Sequence, residues 1–256
     1  MPSIESLLHR RNDLSTFLVH LTRGTGDGSA ADDDAAKANL MSILRGQKLE
    51  ARTVYGMARD LAVKYSEIAK TQRTVCFTET PLEHVWMMCE DIERRDMKFK
   101  GYGVAFTKTF ARRRGVNPVW YLDISPGHDF LTNPVNRMVA EAAKIAEGGD
   151  IFAEWDAVDA DILRLTPFME TMGKMNNGGR KEFWWEREWR HIGDFTFFAK
   201  DIVAVFGPED WHSEARRFMT DDLEYGRVPP VIDPRWGLER VIAALAGVAD
   251  PGPFPN

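Results

Sequence analysis

Only two cysteines occur in 256 residues, Cys76 and Cys89, and each sits among apolar neighbours. No Cys-x-x-Cys and no cluster of histidines accompanies them. A disulfide framework is therefore not expected, nor is a structural zinc site, and the simplest compartment is a reduced, cytoplasmic one. Long apolar runs are also missing, so no membrane partner is expected. The opening MPSIESLLHRRND has no apolar stretch followed by a small-residue cleavage site, so no signal peptide is expected. Positive charge is in deficit: 33 Lys and Arg against 39 Asp and Glu give a net charge of -6. That removes a global field toward nucleic acid. Local basic clusters exist, notably Arg112 to Arg114, which reads as a solvated turn. The GTGDG at Gly24–Gly28 resembles a phosphate loop, but no Gly-Lys-Ser/Thr follows, which excludes a Walker A site.

What is present suits a globular core. Hydrophobic residues make up 44% and charged residues 28%, enough for a single domain over residues 1–256. Runs rich in β-branched and aromatic residues predict strands at Leu14–Leu21, Thr74–Thr80, Gly103–Thr107, Val119–Ile124, Glu188–Phe198 and Ile202–Phe206. Helical spacing predicts helices at Ser3–Arg11, Ala35–Leu44, Met57–Ala69, Glu83–Arg94, Asn133–Ala146, Glu209–Phe218 and Trp236–Leu245. Lys108–Gly115 reads as a basic helix or turn. Ala160–Met172 has no definite pattern. The Gly- and Asp-rich segment Gly24–Asp34 reads as a mobile loop, and the closing PGPFPN as a loose tail. Strands interspersed with helices place the chain in the α+β or mixed α/β class.

The densest stretch is Phe183–Gly193, FWWEREWRHIG. Read as a strand, period two puts Glu186 and Glu188 on one face with Trp184 and Arg190. Two neighbouring carboxylates among aromatics repel each other and lose water, so they need a cation or a chemical use. The plain alternative is a solvated strand face with cross-strand Glu and Arg pairs. A metal-dependent nuclease would draw on Glu186, Glu188 and Asp194, but nothing in their spacing favours one, and no metal is expected.

Three blocks stand in order along residues 14–207: LVHLTRG with NLMSILRGQKLEAR, then VCFTETPLEH with YGVAFTK, then WWEREWR. Together they resemble the AbiGi-like abortive phage resistance proteins. The opening strand and helix also resemble the DarT-like DNA ADP-ribosyltransferases. The second resemblance implies an ADP-ribosyltransferase-like split β-sheet core with flanking helices, using NAD as substrate. NAD would be bound by His20, Thr22 and Arg23 on the first strand and by Phe77, Thr78 and Thr80 on the second. Tyr55 would stack on the nicotinamide. Glu188 would be the catalytic carboxylate, stabilising a cationic transition state, with Glu186 handling the acceptor. The pattern is mixed: His20-Leu21-Thr22 echoes one branch of the transferases, and Glu186-x-Glu188 echoes the arginine-type branch. The acceptor would be a phage or host protein or a nucleic acid. The alternative implied by the first resemblance is a non-catalytic antitoxin or sensor that binds a toxin or another partner, with Arg112–Arg114 as a contact surface.

Overall fold

The computed structural model describes residues 11, 13–24, 30–91, 98–148, 151–175 and 178–248. The predicted helix at Ser3–Arg11, apart from Arg11, and the PGPFPN tail lie outside those residues. In chain order the strands are β1 Phe17–Arg23, β2 Lys48–Leu49, β3 Thr53–Val54, β4 Arg73–Thr78, β5 Phe99–Thr107, β6 Asn117–Pro118 and β7 Trp120–Asp123. They continue as β8 Met169–Lys174, β9 Arg180–Lys181, β10 Glu188–Ile192, β11 Phe195–Thr196, β12 Ile202–Phe206 and β13 Val231–Ile232. The α-helices are α1 Ala30–Gly46, α2 Arg59–Lys64, α3 Ser66–Gln72, α4 Trp86–Cys89, α5 Lys108–Arg113 and α6 Thr132–Ala146. Then come α7 Ile151–Val158, α8 Asp161–Leu165, α9 His212–Arg217 and α10 Leu238–Ala246. The fold is α+β.

Two compact units divide the chain. The first holds residues 1–48, 77–111 and 196–256, and the second 49–76 and 112–195. In the first unit the strand order is β13-β12-β5-β1, continued by the end of β4. β1 runs antiparallel to β5, with Val19 opposite Ala105 and Leu21 opposite Gly103. β12 is antiparallel to β5 and parallel to β13. The central strands β5 and β12 carry near-continuous apolar runs, so both their faces can be buried. Helix α1 lays Ala36, Leu40 and Leu44 inward, all fully buried at a spacing of four. It starts at Ala30, inside the segment read as a loop. Two acids in its first turn, Asp32 and Asp33, suit the positive end of a helix. Asp32 is fully buried and meets Lys100 at 3.0 Å.

The second unit has its own core. Ile68, Leu122, Val135, Ala142, Ala146, Ala157, Leu163 and their neighbours form one buried apolar cluster. Around it lie α2, α3, α6, α7 and α8 and the small sheet β7-β8-β9, in which β7 and β8 are parallel. The first residues of β4 lie between β3 and β10, and β10 pairs antiparallel with β6, Trp189 opposite Pro118.

Several elements differ from the sequence reading. The strand predicted over Glu188–Phe198 is two, β10 and β11, which lie in different sheets and are separated by Gly193 at a φ of 73°. The helix predicted over Met57–Ala69 is two helices, α2 and α3, broken at an extended Tyr65. The break re-aims α3 so that its Gln72 is fully buried. The Gln72 amide donates to the Leu163 carbonyl at 2.7 Å and accepts from the Thr166 hydroxyl at 2.8 Å. The unresolved pattern at Ala160–Met172 is α8, a 3₁₀ turn at Thr166–Phe168 and the start of β8. The helix predicted at Glu83–Arg94 is, over its described part, a 3₁₀ turn at Leu82–His84 and the one-turn α4, ended by an extended Glu90; residues 92–94 lie outside the described residues. Phe183–Glu186, read as the start of a strand, is a 3₁₀ turn.

Candidate functional site

Arg187 decides the shape of the aromatic stretch. Its φ of 48° is left-handed, which ends the turn at Phe183–Glu186 and lets β10 begin at Glu188. The two-residue alternation is thereby broken between the carboxylates. Glu186 belongs to the turn and Glu188 to the strand, so the predicted shared face does not form. From Glu188 onward the alternation holds, and it puts Glu188 and Arg190 side by side.

Arg190 is the centre of the site. Its side chain is 2% exposed, yet it carries a full positive charge. Burial of a lone charge is costly, so the guanidinium must be enclosed by acceptors. Its Nε donates to Glu188 Oε1 at 2.9 Å, and Nη2 donates to Glu188 Oε2 at 2.9 Å. This is a bidentate fork, the strong geometry for this pair. Nη2 also donates to Glu170 Oε2 at 3.1 Å, and Nη1 to the Pro167 carbonyl at 2.8 Å. The guanidinium carbon lies 4.9 Å from the centre of the Tyr55 ring, within cation–π range. Tyr121 donates its hydroxyl to Glu188 Oε2 at 3.2 Å. Lys181 Nζ donates to the other oxygen of Glu170 at 2.7 Å. Two cations and two carboxylates therefore balance, all within the second unit.

The charges shift one another in the directions this geometry requires. Burial disfavours the ionised form of Glu170, but Arg190 and Lys181 outweigh it and hold the carboxyl down at about 2. Burial likewise opposes the charge on Arg190, and Glu188 more than offsets it, so the guanidinium stays protonated. Burial pushes the Tyr121 phenol up, and the Glu188 carboxylate adds to it. Burial, then the same carboxylate, push the Cys76 thiol well up. A thiol held that way is not a nucleophile. Among the described residues no group of three or more His, Cys, Asp or Glu could hold a metal ion.

The remaining sequence candidates lie in the first unit. β1 and β4 pair with Val19 opposite Thr78, and the His20 and Phe77 rings meet edge-on at 5.9 Å. The Thr78 and Thr80 hydroxyls bond each other at 2.7 Å. Thr22 is buried, and its hydroxyl donates to the carbonyls of Ala36 and Tyr102, tying β1 to α1 and β5. Arg23 ends β1, and its carbonyl accepts from Asn39 at 2.8 Å. The structure thus brings His20 and Phe77 together, and separately joins Tyr55 to Glu188 through Arg190. Sequence reasoning missed Glu170, Tyr121 and Lys181. Glu170 sits in the segment without a pattern, and no spacing links it to β10.

Comparison with known families settles the relationship. A family model described as "Putative abortive phage resistance protein AbiGi, antitoxin" matches residues 42–218, more than half of the chain. The chain belongs to the AbiGi family. No curated protein matches it, and no solved structure does. The AbiGi match contains every residue of the Arg190 cluster, from Tyr55 to Arg190 itself. It also contains Phe77, Thr78, Thr80 and Glu186, whereas His20, Thr22 and Arg23 precede it. Among the described residues, no helix of this AbiGi member is long and apolar enough to cross a membrane.

Proposed function

We propose that this chain is a phage-defence antitoxin that acts by binding a partner protein, a toxin, rather than by group transfer. One observation carries the reading: both oxygens of Glu188, the carboxylate a transferase would need, are held by the Arg190 fork. A catalytic carboxylate has to face a substrate at the moment charge develops. Here it neutralises a buried cation that would otherwise destabilise the unit. The family description names an antitoxin, and an antitoxin needs complementarity to its toxin, not a reactive group.

A second reading has its own observation. His20 and Phe77 lie side by side on paired strands, as NAD binding in an ADP-ribosyltransferase-like split-sheet core would require. On that reading Glu188 and Glu186 would act on an NAD-derived ribose, and the acceptor would be a protein or nucleic acid. Two measurements separate the readings. Thermal shift with NAD reports binding, because a ligand of the native state raises Tm. Mass spectrometry of cells expressing the chain reports transfer. Partner binding predicts no Tm shift and no ADP-ribosylated species. A saturable shift, with labelling that Glu188→Gln abolishes, would establish the transferase instead.

A further inference from the structure

The second unit carries an aromatic strand face that is open to water. β6 and β7 follow one another through Val119, whose N–H donates to the Glu188 carbonyl at 2.9 Å. Trp189 stands directly opposite Pro118. Trp120 is two residues on from Pro118, so alternation puts all three on one face of the strands. Glu188 and Arg190 lie on the other face, where the Tyr121 hydroxyl reaches Glu188. Pro118 is exposed, Trp189 is half-buried and Trp120 is 51% exposed. The Trp120 ring is thus a flat apolar surface available to a ligand.

The chain that leads into this face is basic. From residue 97 to residue 122 the sequence holds no Asp or Glu. Its lysines are engaged: Lys98 meets Asp91, Lys100 meets Asp32 and Lys108 meets Glu79. Arg112 and Arg113 are different. Both are exposed at the end of α5, and among the described residues no carboxylate pairs with either. The Gly115 N–H closes a turn on the Arg112 carbonyl at 3.0 Å, and β6 begins two residues later. Arg73 stands across the strands. It is exposed at the start of β4, and its carbonyl accepts from the Gly193 N–H, just past β10, at 2.9 Å. Cys76 lies beside Glu188, so alternation along β4 turns Arg73 to the Trp189 face. The net charge of -6 gives no global pull on an anion, but exposed charges beyond a Debye length are screened, and the local sign governs.

Unpaired arginines select an anion, and an open tryptophan selects a planar group. A single-stranded nucleic acid supplies both along one chain, phosphates for the arginines and unstacked bases for the rings. A duplex keeps its bases stacked inside, and an acidic protein segment supplies the anion alone. We propose that this face binds a single-stranded nucleic acid, with bases stacked on Trp120 and Trp189 and phosphates held by Arg112 and Arg113 on one side and Arg73 on the other. The site is additional to the toxin contact and does not depend on the antitoxin reading.

The test is fluorescence anisotropy of the purified full chain with a short labelled oligouridylate and a short labelled oligothymidylate, each titrated over a range of salt. The variants are Trp120→Leu, Trp120→Phe, Arg112→Gln with Arg113→Gln, and Arg137→Gln with Lys144→Gln as control. Arg137 and Lys144 are exposed on α6 of the same unit, so the control removes equal charge elsewhere. We expect wild type to bind a single strand, and the two probes to show whether ribose or deoxyribose is preferred. Trp120→Leu should weaken binding about tenfold with its salt dependence unchanged, and Trp120→Phe should keep most of the affinity because a ring remains. The double arginine variant should lower the slope of log affinity against log salt by about 1.4, and the control should match wild type. Should Trp120→Leu lower Tm, the arginine pair and Trp120→Phe decide. No binding by wild type, equal weakening by the control, or an unchanged slope in the arginine variant overturns the assignment. So does a matching duplex, or an oligoglutamate, bound as tightly as the single strand, the latter because an acidic protein would then fit the face. None of these arms contains the toxin, so their failure leaves the antitoxin reading standing.

Discussion

Arg190 shows how one residue organises its surroundings. Its guanidinium makes four hydrogen bonds to Glu188, Glu170 and the Pro167 carbonyl, so removing it strands two carboxylates in a dry environment. Arg190→Met should therefore destabilise the chain by about 3–5 kcal/mol, read as the change in urea-unfolding free energy. Arg190→Lys should recover only part of that loss, because an ammonium lacks the planar fork. Glu170 gives the cluster a pH signature. Its carboxyl lies at about 2 when folded against an ordinary value of 4.5. The unfolded chain therefore takes up the proton first as pH falls. The stability Glu170 contributes is complete above about 4.5 and lost on descending toward 2, a contribution of about 3 kcal/mol. Unfolding measured across that range should show a steep acid limb, and Glu170→Gln should flatten it. An unchanged limb in the variant would remove Glu170 from the account.

At the scale of elements, the turns carry what strand and helix patterns do not. Gly56 joins β3 to α2 with a φ of 88°, and a Cβ there would come within 2.0 Å of the Thr166 carbonyl oxygen. Gly56→Ala should cost about 1 kcal/mol or more through the positive φ and the clash together, seen as a lower Tm with the far-UV spectrum unchanged. The same kind of local event explains which elements were legible in the sequence. β12 is legible at its bounds because IVAVF is an unbroken apolar run, whereas β1 is shifted by two to three residues and β5 is recognised only from Gly103, because Lys100 and Gly101 break its earlier pattern. α6 was found because Val135, Ala142 and Ala146 recur on one buried face. Tyr65 and Arg187 defeated the reading because each changes direction through one residue's backbone, without Gly or Pro to mark it. β13 pairs with β12 over two residues only, too few to leave a period. Of the site, the Glu188 and Arg190 pairing was visible as alternation along one strand. Glu170 and Tyr121 were not, because they reach it from separate strands through tertiary contacts alone.

For the whole molecule, membership of the AbiGi family and the engaged state of Glu188 point the same way. Defence is expected to depend on a folded surface and not on a reactive carboxylate. A buried ion network can often be replaced by apolar residues of similar volume without loss of stability, provided every charged partner goes together. A catalytic glutamate cannot be replaced in that way. The most direct measurement is growth rescue by the combined variant Glu188→Leu, Arg190→Met, Glu170→Leu and Lys181→Met, at soluble levels and Tm matched to wild type. The account predicts that this variant protects cells from the toxin as well as wild type does. Loss of protection by a variant that is folded and soluble would contradict it and return Glu188 to a direct role in function.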